Sequence, residues 1–232
     1  MKTENLFDGV KIKTTKGVMP EEVAGVTDNA GEVKSGFCFF AVKGEKYNGA
    51  YFIREAIDNG ASIIVTAEVG NAAVVIVDDV RGVLDVVCKR FYIGDNPKIK
   101  LVGVVGTNGK TSVCHIIYEI FSYAGKKAAY LGTIGGKIGD KEYETSLTTP
   151  GTVELYRFIG EAGKAGAEYL ALELSAHAIA QKRGCGLYYE CLIFTNCTED
   201  HLDYFKDMET YAAVKKSAFV RGRCKYMVIN SD

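Results

Sequence analysis

With 232 residues, 47% of them apolar and 25% charged, the chain has material for one large or two modest domains with real cores. That composition excludes disordered, collagenous and coiled-coil chains. The 28 Lys and Arg against 29 Asp and Glu leave a formal charge of −1, so no net field drives the protein onto nucleic acid or an anionic membrane.

Taken in chain order, the N-terminal stretch MKTENLFDGVKIKTTKG lacks the apolar centre of a signal peptide, and no apolar run of roughly 18 residues follows anywhere. FCFFAV (37–42), ASIIVTA (61–67) and AVVIVD (73–78) read as short strands. Between the first two, Phe52, Ile53, Ala56 and Ile57 mark a helical face that Gly60 ends. The Gly-Asp-Asn-Pro cluster at 94–97 reads as a linker. Beyond it strands and helices alternate: KLVGVV (100–105) as a buried strand, 111–123 as a helix, KAAYLG (127–132) as a strand, and 150–165 as a helix capped by Thr149 with Pro150 at its first position. EYLALEL (168–174) and ECLIFTN (190–196) are strands, 207–220 a helix and 225–229 a last strand. Such alternation implies βαβ units on a parallel sheet, with ligands at the carboxyl ends of its strands. The seven cysteines (38, 88, 114, 185, 191, 197, 224) include no C-x-x-C pair and lie in apolar runs. They read as reduced, buried thiols of a cytosolic protein.

GVVGTNGKTS (103–112), between a strand and a helix, carries the strongest chemical signal. Its backbone N–H groups would face a phosphate at the helix's positive end, with Lys110 as a point charge and the Thr111 hydroxyl available to Mg²⁺. The usual pattern asks for glycine where Val104 stands. ELSAH (173–177) ends a strand, so Glu173 reads either as a metal-binding carboxylate or as an exposed residue leaving the sheet. Gln181 and Arg183 follow, the arginine suited to fork onto an anion or to sit at the surface. In FTNCTEDHLDYF (194–205), Asp200, His201 and Asp203 form either a compact metal- or phosphate-handling set or a capped turn. LTTPGT (147–152) reads as a helix start whose hydroxyls and N–H groups equally suit a diphosphate. Lys215 by itself reads as a surface lysine.

Taken together, GTNGKTS, TTP, ELSAH with Arg183, and FTNCTEDHLDYF followed by Lys215 resemble, in order and spacing, the Mur ligases of peptidoglycan synthesis. Within them the pattern is similar to the branch that adds the third amino acid to UDP-MurNAc-L-Ala-D-Glu. The likeness runs from about residue 23 to the end, its first part carried by VTDNAGEVKSGFCFFAVKGEKYNGAYFIREAIDNGA. It implies an α/β fold: a small UDP-substrate-binding domain over 1–97, then a P-loop, three-layer parallel-sheet ATPase domain over 98–232 that stops partway. It implies ATP and Mg²⁺ as cofactors, with UDP-MurNAc-L-Ala-D-Glu and meso-diaminopimelate or L-lysine as substrates, joined through an acyl phosphate. Gly106, Thr107, Asn108, Gly109, Lys110, Thr111 and Ser112 match the ATP-phosphate positions. Thr111, Glu173 and His201 match the Mg²⁺ ligands. Thr148, Thr149, Ser175, Gln181 and Arg183 match positions that grip the muramoyl dipeptide, Asn29 stands where the family's serine meets the uridine-bearing substrate, and Lys215 matches a lysine that the family carbamylates to support a second magnesium. Lys110, His201 and Lys215 are thus the catalytic candidates.

The chain departs from the family at Asn29 and Ala30, where serine and arginine are usual, at Ala176 in place of a second serine, and at Leu147 in place of asparagine. A folylpolyglutamate synthetase shares the loop without this front domain, and the D-alanyl-D-alanine-adding Mur ligase differs after it. A non-catalytic nucleotide or UDP-sugar binding fragment is the reading from another class. The expected protein is cytosolic, without nucleic-acid or membrane partners and with a monomer favoured, and the 232 residues are expected to keep the phosphate loop without completing ligation.

Overall fold

In the computed structural model, residues 1–45, 47–67, 74–94 and 98–231 are described. The chain divides into two compact units, Met1–Gly94 and Asp95–Asp232. Asp95, Asn96 and Pro97 of the expected linker, and Ala73 of an expected strand, lie outside the described residues.

The first unit contains α1 (Thr3–Leu6), β1 (Thr14–Lys16), β2 (Gly25–Thr27), β3 (Phe37–Phe40), α2 (Ile53–Asp58), β4 (Ala61–Thr66), β5 (Val74–Ile76) and α3 (Val80–Tyr92). Its sheet runs β1-β5-β4-β3-β2, parallel except for β1 at the edge. Apolar residues on successive positions of β3, β4 and β5 are buried, the signature of a sheet covered on both faces. On one face Phe39, Ile64, Val74 and Ile76 pack with Ala56 of α2. Only part of the expected α2 face is inside, because Phe52 and Ile57 are 38% and 37% exposed. Helix α3 had no counterpart in the pattern reading. Its Asp79 cap accepts from Gly82 N at 3.0 Å, and Val80, Leu84, Val87 and Cys88 form its buried stripe.

In the second unit the order is β6 (Lys100–Val105), α4 (Lys110–Tyr123), β7 (Ala128–Gly132), β8 (Gly135–Ile138), β9 (Lys141–Tyr143), α5 (Thr152–Lys164), β10 (Tyr169–Leu174), α6 (Ala176–Ala180), β11 (Tyr189–Phe194), α7 (Leu202–Phe205), α8 (Met208–Lys216) and β12 (Cys224–Ile229). The sheet order is β12-β11-β6-β10-β7-β8-β9. Its first five strands are parallel, and β8 and β9 add an antiparallel extension absent from the sequence expectation. From β6 the chain crosses to β7 on one side, whereas the later strands β11 and β12 lie on the other. The carboxyl end of β6 is therefore the switch point where such sheets open a crevice. Leu172 and Glu173 of β10 register with Gly103 and Val104 of β6, and Phe194 of β11 with Val105. Val104, the departure from the usual loop pattern, lies fully buried inside β6, before the turn begins.

Two further expectations change. Helix α5 begins at Thr152 with Gly151 as its cap, not at Pro150 behind Thr149; the Thr149 hydroxyl is used elsewhere, as the site shows. Of the seven thiols, Cys38, Cys88 and Cys114 are buried, Cys191, Cys197 and Cys224 are half-buried and Cys185 is exposed, since the later strands and loops lie nearer the surface. No helix among the described residues is long and apolar enough to cross a membrane.

Candidate active site

Four strand ends bring the site together. After β6, the loop Gly106–Gly109 leads into α4, with Gly109 at φ 81° as its entry residue, a left-handed conformation that glycine adopts without strain. The loop is braced by the segment after β11. Thr107 N donates to Asn196 O at 3.0 Å, Asn108 N to Asn196 Oδ1 at 3.0 Å, and Thr195 Oγ1 to Asn108 O at 2.7 Å. Thr195, Asn196 and Thr198 were missed by the sequence reading, which looked only at the ionisable residues just beyond them.

Lys110 folds back over the loop, its ammonium donating to Gly106 O at 3.0 Å and Thr107 O at 2.8 Å. Burial lowers its pKa from the usual lysine value, and the Lys215 charge lowers it further, while Glu173 and Asp200 act the other way. Ser112, two residues on in the first turn of α4, is exposed.

Glu173 is fully buried, which settles its two sequence readings in favour of the inward one. Oε1 accepts from Tyr130 Oη at 2.6 Å and Thr133 N at 2.9 Å; Oε2 accepts from Thr111 Oγ1 at 2.9 Å and Thr133 Oγ1 at 3.1 Å. Burial and this bond raise the Tyr130 pKa, so the phenol keeps its proton and donates. Gly132 is required here, because a Cβ would run into Glu173 Oε1 and the Tyr130 hydroxyl. Tyr130 and Thr133 escaped the sequence reading: only the register of β7 against β10 shows that they face Glu173.

The TTP segment straps the end of β10. Thr149 is buried; its hydroxyl donates to Glu173 O at 2.8 Å and accepts from Ser175 N at 2.9 Å. Ser175 caps α6 by accepting from Ala178 N at 3.2 Å. Arg183 donates to Thr149 O at 2.7 Å and to Gln181 Oε1 at 2.6 Å, so it is anchored and not a free surface arginine. Thr148 Oγ1 lies 3.0 Å from Thr133 Oγ1. Thr149→Val strands a buried N–H and a carbonyl together, and we expect urea denaturation to show a loss of about 2–3 kcal/mol.

Lys215, a surface lysine by type alone and a site lysine by the resemblance, is 1% exposed. Its ammonium donates to Thr107 Oγ1 at 2.5 Å and lies 3.8 Å from the centre of the Tyr211 ring. Burial lowers its pKa, opposed by Cys197 and Asp200. His201 sits at φ 55°, with its N donating to Asp200 Oδ1 at 2.9 Å and its ring 4.8 Å from that of His177. Asp200 therefore closes a turn, while Asp203 is exposed on α7. Among the described residues no group of three His, Cys, Asp or Glu is placed to hold a metal ion. The oxygen pair Thr111 and Glu173 nevertheless fits Mg²⁺. The carboxylate is buried, held by neutral donors and makes no ion pair among the described residues, and magnesium commonly takes one or two carboxylates with waters and phosphate oxygens. Asn29 belongs to the first unit, at the end of β2, where its Oδ1 accepts from Gly31 N at 3.1 Å.

A family model described as Mur ligase middle domain matches residues 104–232. The chain belongs to the Mur ligase family. A second model, Mur ligase family catalytic domain, matches residues 22–108. Similar curated Mur ligases include the UDP-N-acetylmuramoyl-L-alanyl-D-glutamate–2,6-diaminopimelate ligase of Aquifex aeolicus (strain VF5), 38% identical over 91% of this chain and 44% of the relative. That of Geobacillus thermodenitrificans (strain NG80-2) is 38% identical over 94% and 46%. A solved structure of a ligase bearing the same name superposes with a TM-score of 0.85 at 26% identity, covering 100% of this chain and 47% of that one. MurF from Acinetobacter baumannii, at 16% identity and a TM-score of 0.62 over 92% of this chain and 45% of that one, shares the fold. The chain spans about half the length of these Mur ligases.

Proposed function

We propose that this chain carries the nucleotide and muramoyl-peptide sites of an ATP-dependent amide ligase that adds the third amino acid, meso-diaminopimelate or L-lysine, to UDP-MurNAc-L-Ala-D-Glu. The observation that carries the reading is the convergence of Gly106–Thr111, Glu173 and Lys215 at one switch point, within a chain 38% identical to ligases of that name. Residues 1–97 form the UDP-substrate domain, with Asn29 among its contacts, and 98–232 part of the ATP domain.

The loop N–H groups and Lys110 hold the ATP phosphates, with Thr107, Asn108 and Ser112 around them. Thr111, Glu173 and His201 hold Mg²⁺, which when bound neutralises phosphate charge. Lys215 as a carbamate supports a second ion; the burial that lowers its pKa raises the share of neutral amine, the form that carbamylation needs. Thr148, Ser175, Gln181 and Arg183 grip the muramoyl dipeptide, and Thr149 braces that set. The substrate carboxylate takes the γ-phosphoryl group as ADP leaves, and the amine then displaces phosphate to form the amide. Because carboxylates are poor electrophiles, the chain's own contribution is alignment and charge placement.

The test follows ADP release and tripeptide formation with each amine, in this chain and in one extended to the relatives' length. ADP release that requires UDP-MurNAc-L-Ala-D-Glu is expected in the extended chain; release indifferent to the dipeptide overturns the proposal. Complete ligation by the 232 residues alone refutes the division of labour assumed for them.

A further inference from the structure

We propose that Thr133 couples Glu173 to Thr148, so that a divalent cation at Glu173 and an anionic substrate at Thr148 strengthen each other's binding. This rests on the roles given above to those two residues. Thr133 follows β7, and its backbone N–H, with the Tyr130 hydroxyl, occupies Glu173 Oε1. Its side-chain hydroxyl stands 3.1 Å from Glu173 Oε2 and 3.0 Å from Thr148 Oγ1. One hydroxyl has one proton and cannot donate to both. Without a cation the charged oxygen is the stronger acceptor, so Thr133 donates to Glu173 Oε2 and Thr148 Oγ1 goes without that donor.

A cation held by Thr111 and Glu173 would neutralise the charge on Oε2 and weaken it as an acceptor of the Thr133 proton. The Thr133 proton then turns to Thr148 Oγ1, and a hydroxyl that accepts a hydrogen bond donates its own proton more strongly to a phosphate or carboxylate oxygen of the substrate. Hydroxyl rotations suffice, and no bond is made or broken. Thr133 is thus a positioning residue for both sites. Reciprocity requires that the substrate tighten the cation by the same factor.

The experiment titrates UDP-MurNAc-L-Ala-D-Glu into the 232-residue chain calorimetrically, in EDTA and in saturating Mg²⁺ without nucleotide. Mg²⁺ is expected to lower the dissociation constant by roughly five- to tenfold. Thr133→Val, which keeps shape and backbone N–H, is expected to abolish this difference, and Thr133→Ser to restore it. Mn²⁺ binding followed by its EPR signal, with and without the dipeptide, should show the reciprocal change. Coupling that persists in Thr133→Val, or a wild-type chain that binds both ligands independently, overturns the inference. A wild-type chain that binds neither ligand overturns the functional reading and this inference with it. Should Thr133→Val fail to fold, Thr148→Val cuts the link from its other end, and retained coupling there is equally fatal.

Discussion

Replacing Lys110 by alanine should lower dipeptide-dependent ADP release by about 10²–10³-fold, the scale seen when one preorganised donor to developing charge is removed. The affinity for UDP-MurNAc-L-Ala-D-Glu should change little. The separation follows from position. Among the described residues Lys110 donates only to Gly106 O and Thr107 O, within its own loop, whereas Arg183, Thr149 and Ser175 hold one another at the end of β10. Phosphate oxygens can replace those two carbonyls as partners of an ammonium that is already half-buried, so little reorganisation precedes the reaction. The lowered Lys110 pKa adds a pH signature. The protonated form is the active one, so activity should fall as pH rises through a value below the ordinary lysine range. Equal loss of ADP release and dipeptide binding in a folded Lys110→Ala variant would refute the assignment.

What the sequence disclosed were features with local causes. The loop of 106–112 is a contiguous motif, and the parallel strands of the second unit are continuous apolar runs. Helix α3 was also within reach: Asp79 and the spacing of Val80, Leu84, Val87 and Cys88 are a cap and a stripe, overlooked beside the strand before them. Strands β8 and β9 are short, with glycine and charge outweighing periodicity. Contacts fixed by register were beyond local reading. Thr149 looks like a helix cap until β10 is laid beside it and its hydroxyl is seen bonded to Glu173 O and Ser175 N. Tyr130 and Thr133 acquire meaning only when β7 pairs with β10. Lys215 is the extreme case. Its type argues for solvent, yet it shares the buried face of α8 with Tyr211, one turn away, and bonds a loop 108 positions earlier in the chain.

That burial leads to opposite expected effects of Lys215→Met on stability and on chemistry. In carbonate-free buffer at neutral pH the variant should be more stable than wild type by about 1 kcal/mol, because a buried charge gives way to an apolar side chain of similar length. Thr107 Oγ1 loses one donor but keeps its bonds to Thr198 N and Thr198 O, both at 3.1 Å, so no buried polar atom is stranded. The gain has a definite pH course. The folded-state pKa of Lys215 lies below its unfolded value near 10.5, so the unfolded chain binds more protons between the two, and wild-type stability rises with pH across that window. The advantage of Lys215→Met is therefore full below the window and shrinks as pH climbs through it, as urea melts at several pH values would show. Ligation in the extended chain should be lost, because methionine offers neither an amine to carbamylate nor an anion to support a second ion. A variant less stable than wild type at neutral pH would mean that the Lys215 bond to Thr107 and its contact with Tyr211 outweigh desolvation. A more stable variant that still ligates would remove Lys215 from the chemistry.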